Sequence, residues 1–252
     1  MASKKESCRI STQFIESLIR GMGHDIGAPA RHVVHFSQML EERDPSLPLE
    51  DKHERWLGLI HDSGKLIQEM LASLTKLSHL SSRANETNPI DLREVFYKVL
   101  SFHKRCAVDS TQIKTTVKGD WPEVVGSLDH WKTLFSCLLD NSLKFQPKDS
   151  KQVIEISARC EYVDSELFFV LDDNGIGITE PQTADITRSF KRFQSTDDYP
   201  GLGMGLAYCD LIAELNEATI SFDRSPLGGL RVTYRQHISQ SHAPIVTQIQ
   251  KG

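Results

Sequence analysis

The chain has 252 residues, 39% of them hydrophobic, enough for one large or two modest domains with proper cores. Its 29 basic and 34 acidic residues leave a formal net charge of -5, so no excess positive field marks it for nucleic acid or anionic membrane, and any polyanion must be held locally. Five scattered cysteines without a CxxC pair exclude a disulfide framework and a zinc site; no apolar run approaches a membrane span, and Met1 to Ser11 is polar, so a soluble, cytoplasmic chain is expected.

Ile15, Ile19, Met22, Ile26, Val33 and Leu40 recur at steps of three, four or seven, which predicts an amphipathic helix from about Ile10 to Arg43. Within it stands Gly21-Met22-Gly23-His24-Asp25-Ile26-Gly27-Ala28-Pro29. His24 lies off the apolar stripe and is expected to face solvent. An imidazole accepts a phosphoryl group through an unprotonated ring nitrogen, and a carboxylate on the other N–H, here Asp25, holds that tautomer. Pro29 and the three glycines weaken the helix where the histidine sits. On its own, a His-Asp pair on a helix is more often a solvated face.

Asp44-Pro45-Ser46-Leu47-Pro48 breaks this helix, and a second one follows. Trp56, Ile60, Ser63, Ile67, Met70, Leu74 and Leu77 form a heptad-like seam along it. Two such helices predict an antiparallel hairpin, and a hairpin buries both sides of its stripe most simply in a dimeric four-helix bundle. This region, 1–83, is expected to be one domain, with 84–89 a polar linker ending in Asn88-Pro89.

From 90 to 236 the pattern changes. Asp91 caps a helix to about Lys104; Ile113, Thr115 and Val117 alternate as a strand; Val124-Val125 suggests a short strand before a helix from about Asp129 to Phe145. Val153 to Ile156 and Leu167 to Leu171 bracket the turn-like Asp164-Ser165 as a hairpin. A helix from about Met204 to Leu215 precedes two closing strands, around Thr219 to Phe222 and Leu230 to Tyr234. The whole is an α+β multidomain chain whose second part is a two-layer α/β domain, with 237–252 a frayed tail.

Four stretches in that domain carry chemistry when taken together. Asn141, on a helix, offers a neutral oxygen to a Mg²⁺ that carries triphosphate oxygens, and Lys144, one turn on, can meet a phosphate. Asp173, at a strand end, can accept a hydrogen bond from an exocyclic amine, while Gly175 and Gly177 let backbone approach a planar base. Phe190-Lys191-Arg192-Phe193 follows. Gly201, Gly203 and Gly205 then run into a helix whose N-terminus can receive phosphate. A lone glycine run marks a turn more often than a phosphate site, and this one is neither a Walker A loop nor a dinucleotide fingerprint. The order and spacing of all four outweigh those separate readings.

With these motifs the chain resembles the sensor histidine kinases of two-component signalling over about residues 12 to 236, most nearly their phytochrome-like branch. The resemblance implies that His24 with Asp25 and Pro29 is the phosphoacceptor box, and that Asn141 with Lys144 is the Mg-ATP asparagine box. It makes Asp173 to Gly177 the adenine box, and Gly201, Gly203, Gly205 and Leu206 the glycine box; Arg192 joins the nucleotide contacts. It implies a Bergerat (GHKL-type) sandwich for the ATP-binding domain, a homodimer, ATP and Mg²⁺ as cofactors, and a response-regulator receiver domain as partner. Input is expected from a separate or missing upstream sensor.

Some positions depart from the family's pattern. Gly27 replaces a usual basic residue, Cys137 a first asparagine, and Asn216-Glu217-Ala218 the usual His-Gly-Gly. Ala28 replaces the threonine or asparagine thought to orient the water in phosphatase action, so little phosphatase activity is expected. Two other readings stand beside the kinase: a dimeric ATP-binding pseudokinase that signals by conformation, against which the intact His24-Asp25 pair argues, and a metal phosphohydrolase built on His61-Asp62, which needs further ligands.

Overall fold

The computed structural model describes residues 26–42, 51–107, 112–147, 153–178 and 202–238. They fall into two compact units, one within Thr12–His79 and one within Leu80–Gly252.

The first unit is helical. Residues 26–41 form α1, which runs through a buried Pro29, and Asp51–Ser82 form α2. On α1, Ile26, Val33 and Leu40 are half-buried and Ala28 is exposed. Ile15, Ile19, Met22, His24, Asp25 and the two-proline break lie outside the described residues. Along α2 the buried or half-buried positions His53, Trp56, Ile60, Ser63, Ile67, Met70, Leu74 and Leu77 alternate steps of three and four, the spacing that keeps one stripe on one side of a helix. Four leucines flank that stripe. Leu57, Leu59, Leu66 and Leu71 are exposed.

The second unit is built on two sheets. β1 (Asn88–Asp91) pairs antiparallel with β3 (Glu123–Gly126). The larger sheet has β2 (Ile113–Lys118), β4 (Ile154–Val163), β5 (Glu166–Asp173), β6 (Ala218–Arg224) and β7 (Leu230–His237) in the order β2-β4-β5-β7-β6. The β2–β4 pairing is parallel, and the three others are antiparallel. Three helices, α3 (Leu92–Cys106), α4 (Leu128–Lys144) and α5 (Gly205–Leu215), complete the described elements.

Strand alternation sends Ile154, Ile156, Ala158, Cys160, Leu167, Phe169, Leu171, Val232 and Tyr234 into a common core. The helices supply its other side. Phe96 of α3 and Phe135 of α4 cross at 5.3 Å between ring centroids, Phe135 meets Phe169 at 4.9 Å, and Trp131 meets Tyr234 at 5.2 Å, spacings at which tilted and edge-on aromatic pairs attract. On the opposite face polar groups take over, as where Arg235 Nε donates to Glu166 at 2.8 Å and its guanidinium lies 5.5 Å from the Phe168 ring.

Local chemistry explains the joints. Asp164 and Ser165 both take positive φ, 51° and 64°, the left-handed pair that a tight two-residue hairpin turn requires between β4 and β5. Glu217 also takes positive φ, 53°, just past α5, where the usual pattern has a glycine. One expectation needs correcting. Asn88 and Pro89, taken as the end of a linker, are the first half of β1, registered against Gly126 and Val125. A proline reads as a break, but a two-stranded pair has outer edges, where its missing N–H leaves no ladder bond unmade. At the next joint, Asp91 is both the last residue of β1 and the cap of α3, its Oδ1 accepting from Glu94 N at 2.9 Å. Replacing Asp91 with Ala should cost about 1 kcal/mol of stability, read as a lower thermal midpoint; an unchanged midpoint would show that the cap contributes nothing.

Candidate nucleotide site

α4 carries the first residues of the site on its last turn. Asn141 is half-buried, and the N–H of Phe145 closes the helix onto the Asn141 carbonyl at 2.9 Å. The Lys144 ammonium lies 4.8 Å from the centre of the Phe145 ring. Facing Asn141 is the start of α5. A Cβ built on Gly205 would stand 3.5 Å from Asn141 Oδ1 and 3.8 Å from Cys137 Cβ, so a bare glycine leaves the asparagine amide open beside the helix N-terminus. That N-terminus has no side-chain cap on Met204, and its first-turn N–H groups suit an anion. Gly203, at φ 74°, makes the turn into it.

Asp173 ends β5 and is only 5% exposed, so its carboxylate must be met by donors. Three are in place. Ser142 Oγ donates to Oδ2 at 3.0 Å, and the N–H groups of Gly175 and Leu230 donate to Oδ1 at 3.0 and 2.9 Å. Burial raises the Asp173 pKa above the ordinary carboxylate value, the three donors pull it back, and the charge of Asp172 adds to the rise. Asp172 itself belongs to Arg231, whose Nε and Nη2 donate to its two oxygens at 2.8 and 2.9 Å. Asn174 is structural: its amide donates to the Val153 carbonyl at 2.8 Å and accepts from Glu155 N at 2.9 Å, clasping the end of β5 to the start of β4.

Glycines line this carboxylate because side chains have no room. A Cβ on Gly175 would collide with the Phe145 carbonyl, and one on Gly177, at φ 66°, would stand 3.0 Å from the Gly229 carbonyl. A Cβ on Gly229 would strike Asp173 Oδ1 and the Gly175 nitrogen. Gly229 N in turn donates to the Asp173 carbonyl at 3.1 Å.

The structure thus joins the asparagine stretch, through Ser142, to the stretch around Asp173, and sets Gly205 against Asn141; Leu206 is half-buried on the first turn of α5. His24, Asp25, Arg192 and Gly201 lie outside the described residues. Ser142, Gly229 and the Leu230 N–H are additions that sequence reasoning missed. A Gly228-Gly229 pair opening a predicted strand was the available signal for two of them. His61 and Asp62 are exposed on α2, and among the described residues no cluster of His, Cys, Asp or Glu is disposed to hold a metal. Gly229→Ala should displace the carboxylate and lower the stability of this unit by on the order of 1–3 kcal/mol in denaturant titration; a wild-type curve would show that Asp173 is not held this tightly.

Comparison with known proteins points to the same kind of domain. Residues 126–240 match the family of histidine kinase-, DNA gyrase B- and HSP90-like ATPases. Cyanobacterial phytochrome A of Nostoc sp. is 29% identical over 78% of this chain and 25% of its own length. The adaptive-response sensory kinase SasA of Synechococcus elongatus is 24% identical over 81% of this chain and 54% of its own. The chain therefore spans between a quarter and about half of these curated relatives. Among solved structures, full-length ShkA in complex with AMPPNP superposes with a TM-score of 0.57 at 17% identity, covering 90% of this chain and 47% of that one, a likeness of fold. Among the described residues no helix is long and apolar enough to cross a membrane. Residues 126–240 thus carry an ATPase domain of this family, and over most of its length the chain is similar to a phytochrome and to a sensory kinase.

Proposed function

We propose that the chain is the core of a homodimeric histidine kinase that phosphorylates itself on His24 from ATP and passes the phosphoryl group to an aspartate of a response-regulator receiver domain. The observation that carries this reading is the buried, donor-held Asp173 carboxylate joined through α4 to Asn141 and the open N-terminus of α5. Asp173 selects the base, and α5 with Lys144 takes the phosphates. Arg192, Gly201 and Leu206 complete the nucleotide contacts on the evidence of the motif alone. Asn141 fits a role in holding Mg²⁺, because its amide is half-exposed beside the bare Gly205; the ion would neutralise phosphate charge.

In the transfer, an imidazole nitrogen of His24, Nε2, forms a bond to the γ-phosphorus as the bond from that phosphorus to the bridging oxygen breaks. ADP leaves with the electron pair. Asp25 holds the other ring N–H and stabilises the positive charge that develops on the ring. Residues 1–83 serve as the dimerisation and phosphoacceptor domain, an antiparallel hairpin, and the chain from β1 to 236 serves as the ATP-binding domain. The exposed Leu57, Leu59, Leu66 and Leu71 support the dimer, since apolar side chains flanking a filled seam are what a bundle partner covers.

With γ-labelled ATP and Mg²⁺, an acid-labile, base-stable phosphoramidate should form, be lost in His24→Gln and persist in His61→Gln. Label remaining in His24→Gln would refute the assignment, and nucleotide binding without any label would leave a conformational scaffold. In light scattering at micromolar concentration the protein should have twice the chain mass, and Leu59→Glu with Leu66→Glu should halve it, since each leucine forfeits roughly 1.5–3 kcal/mol of burial. A wild-type monomer would contradict the dimer.

A further inference from the structure

A carboxylate has about four lone-pair positions. On Asp173, Oδ1 already accepts two main-chain N–H groups, from Gly175 and Leu230, whereas among the described residues Oδ2 accepts from the Ser142 hydroxyl. A ligand donor is thus directed to Oδ2, the atom that Ser142 holds. Ser142 is 1% exposed, and its single proton lies between the Leu138 carbonyl and Asp173 Oδ2, each at 3.0 Å. It directly follows Asn141, so one turn of α4 addresses both the base and the phosphate side of the site.

We propose that Ser142 is a positioning residue for purine selection: its hydroxyl fixes the Asp173 carboxylate as an acceptor, so that the pocket takes a purine bearing a 6-amino group and refuses one bearing a 6-oxo group. This deepens the reading of Asp173 as the base contact and rests on it. A 6-amino group donates to Oδ2. A 6-oxo group sets acceptor against acceptor, and the refusal lasts only while Asp173 is ionised, because a protonated carboxyl can donate to the carbonyl.

Burial works against ionisation here. The groups facing Asp173 are the Ser142 hydroxyl from α4, the N–H of Leu230 from the start of β7, and, on its own segment, the Gly175 N–H and the charge of Asp172, which is paired with Arg231. The donors lower its pKa and Asp172 raises it. Removing the Ser142 hydroxyl takes away one lowering influence, so the protonated form extends to higher pH. Binding of the 6-amino nucleotide should therefore begin to fail, on acidification, at a higher pH than in wild type.

The test is calorimetric titration of the full chain with ADP and with inosine diphosphate between about pH 5 and about pH 8, for wild type, Ser142→Ala, Ser142→Thr and Asp173→Ala, with thermal melts to establish that each is folded. In Ser142→Ala, ADP affinity should fall roughly tenfold while inosine diphosphate changes little, and the acid-side loss of ADP binding should move to higher pH. Ser142→Thr keeps the hydroxyl and should restore both. Wild-type discrimination and pH profile in Ser142→Ala would overturn the proposal, as would an equal loss for both diphosphates, which is what a purely structural role gives. Wild-type ADP affinity in Asp173→Ala would overturn the base contact itself, and a loss there beside an unaffected Ser142→Ala would sink only the role of Ser142.

Discussion

A carboxylate taken out of water at the end of a central strand is the constraint around which the second unit is arranged. Unmet, it would cost several kcal/mol; here three donors from three segments converge on Asp173, which forces those segments together. The last turn of α4 must reach β5, which it does through Ser142. The backbone must fold back on itself at Gly175, and the start of β7 must approach so closely that position 229 has no room for a Cβ. Asp172, pointing to the other face, is neutralised separately by Arg231, so the adjacent charges are met by different partners.

Much of this could be read from the sequence, for physical reasons that also mark where the reading stopped. Strands announced themselves by alternation, as at Ile113-Thr115-Val117, and the β4–β5 hairpin by the polar pair Asp164-Ser165 between apolar runs. β1 was hidden because Pro89 reads as punctuation unless its pairing with Val125 is known. Asn141, Asp173 and Gly205 stood out as candidate nucleotide contacts because each residue type has few uses in its setting, and the structure sets Gly205 against Asn141. Ser142 and Gly229 were not, since their meaning is a contact with Asp173, distant in sequence, and nothing in local propensity encodes it. The proposed phosphoacceptor, His24, is read from its motif and lies outside the described residues.

The substitution of Asn216-Glu217-Ala218 for the usual His-Gly-Gly finds a structural use. Asn216 Oδ1 lies 3.1 Å from Nδ1 of the buried His130, and its amide donates to the Tyr234 hydroxyl at 3.2 Å. Tyr234 donates onward to Gln236 Oε1 at 3.1 Å, and Gln236 returns a bond to the Asn216 carbonyl at 3.1 Å. On its far side the His130 ring donates through Nε2 to the Leu80 carbonyl at 2.9 Å. The end of α5 and β7 are thus tied by a closed polar ring of Asn216, Tyr234 and Gln236, to which His130 at the start of α4 and the Leu80 carbonyl are attached, a network in which each member depends on the others being present.

The parallel pairing of β2 with β4 sets the order in which this domain can assemble. Ile113 is registered against Ile154, roughly forty residues on, with β3 and α4 between them, whereas β4 and β5 meet across a two-residue turn. Closing the longer loop gives up chain entropy before any ladder bond compensates it. The β4–β5 hairpin is therefore the natural early structure, and the β2–β4 and β5–β7 pairings, which close much longer loops, follow it. On a ribosome the same asymmetry has a temporal form, for β2 is made before β4 and must wait, its backbone edge unpaired, until β4 has emerged.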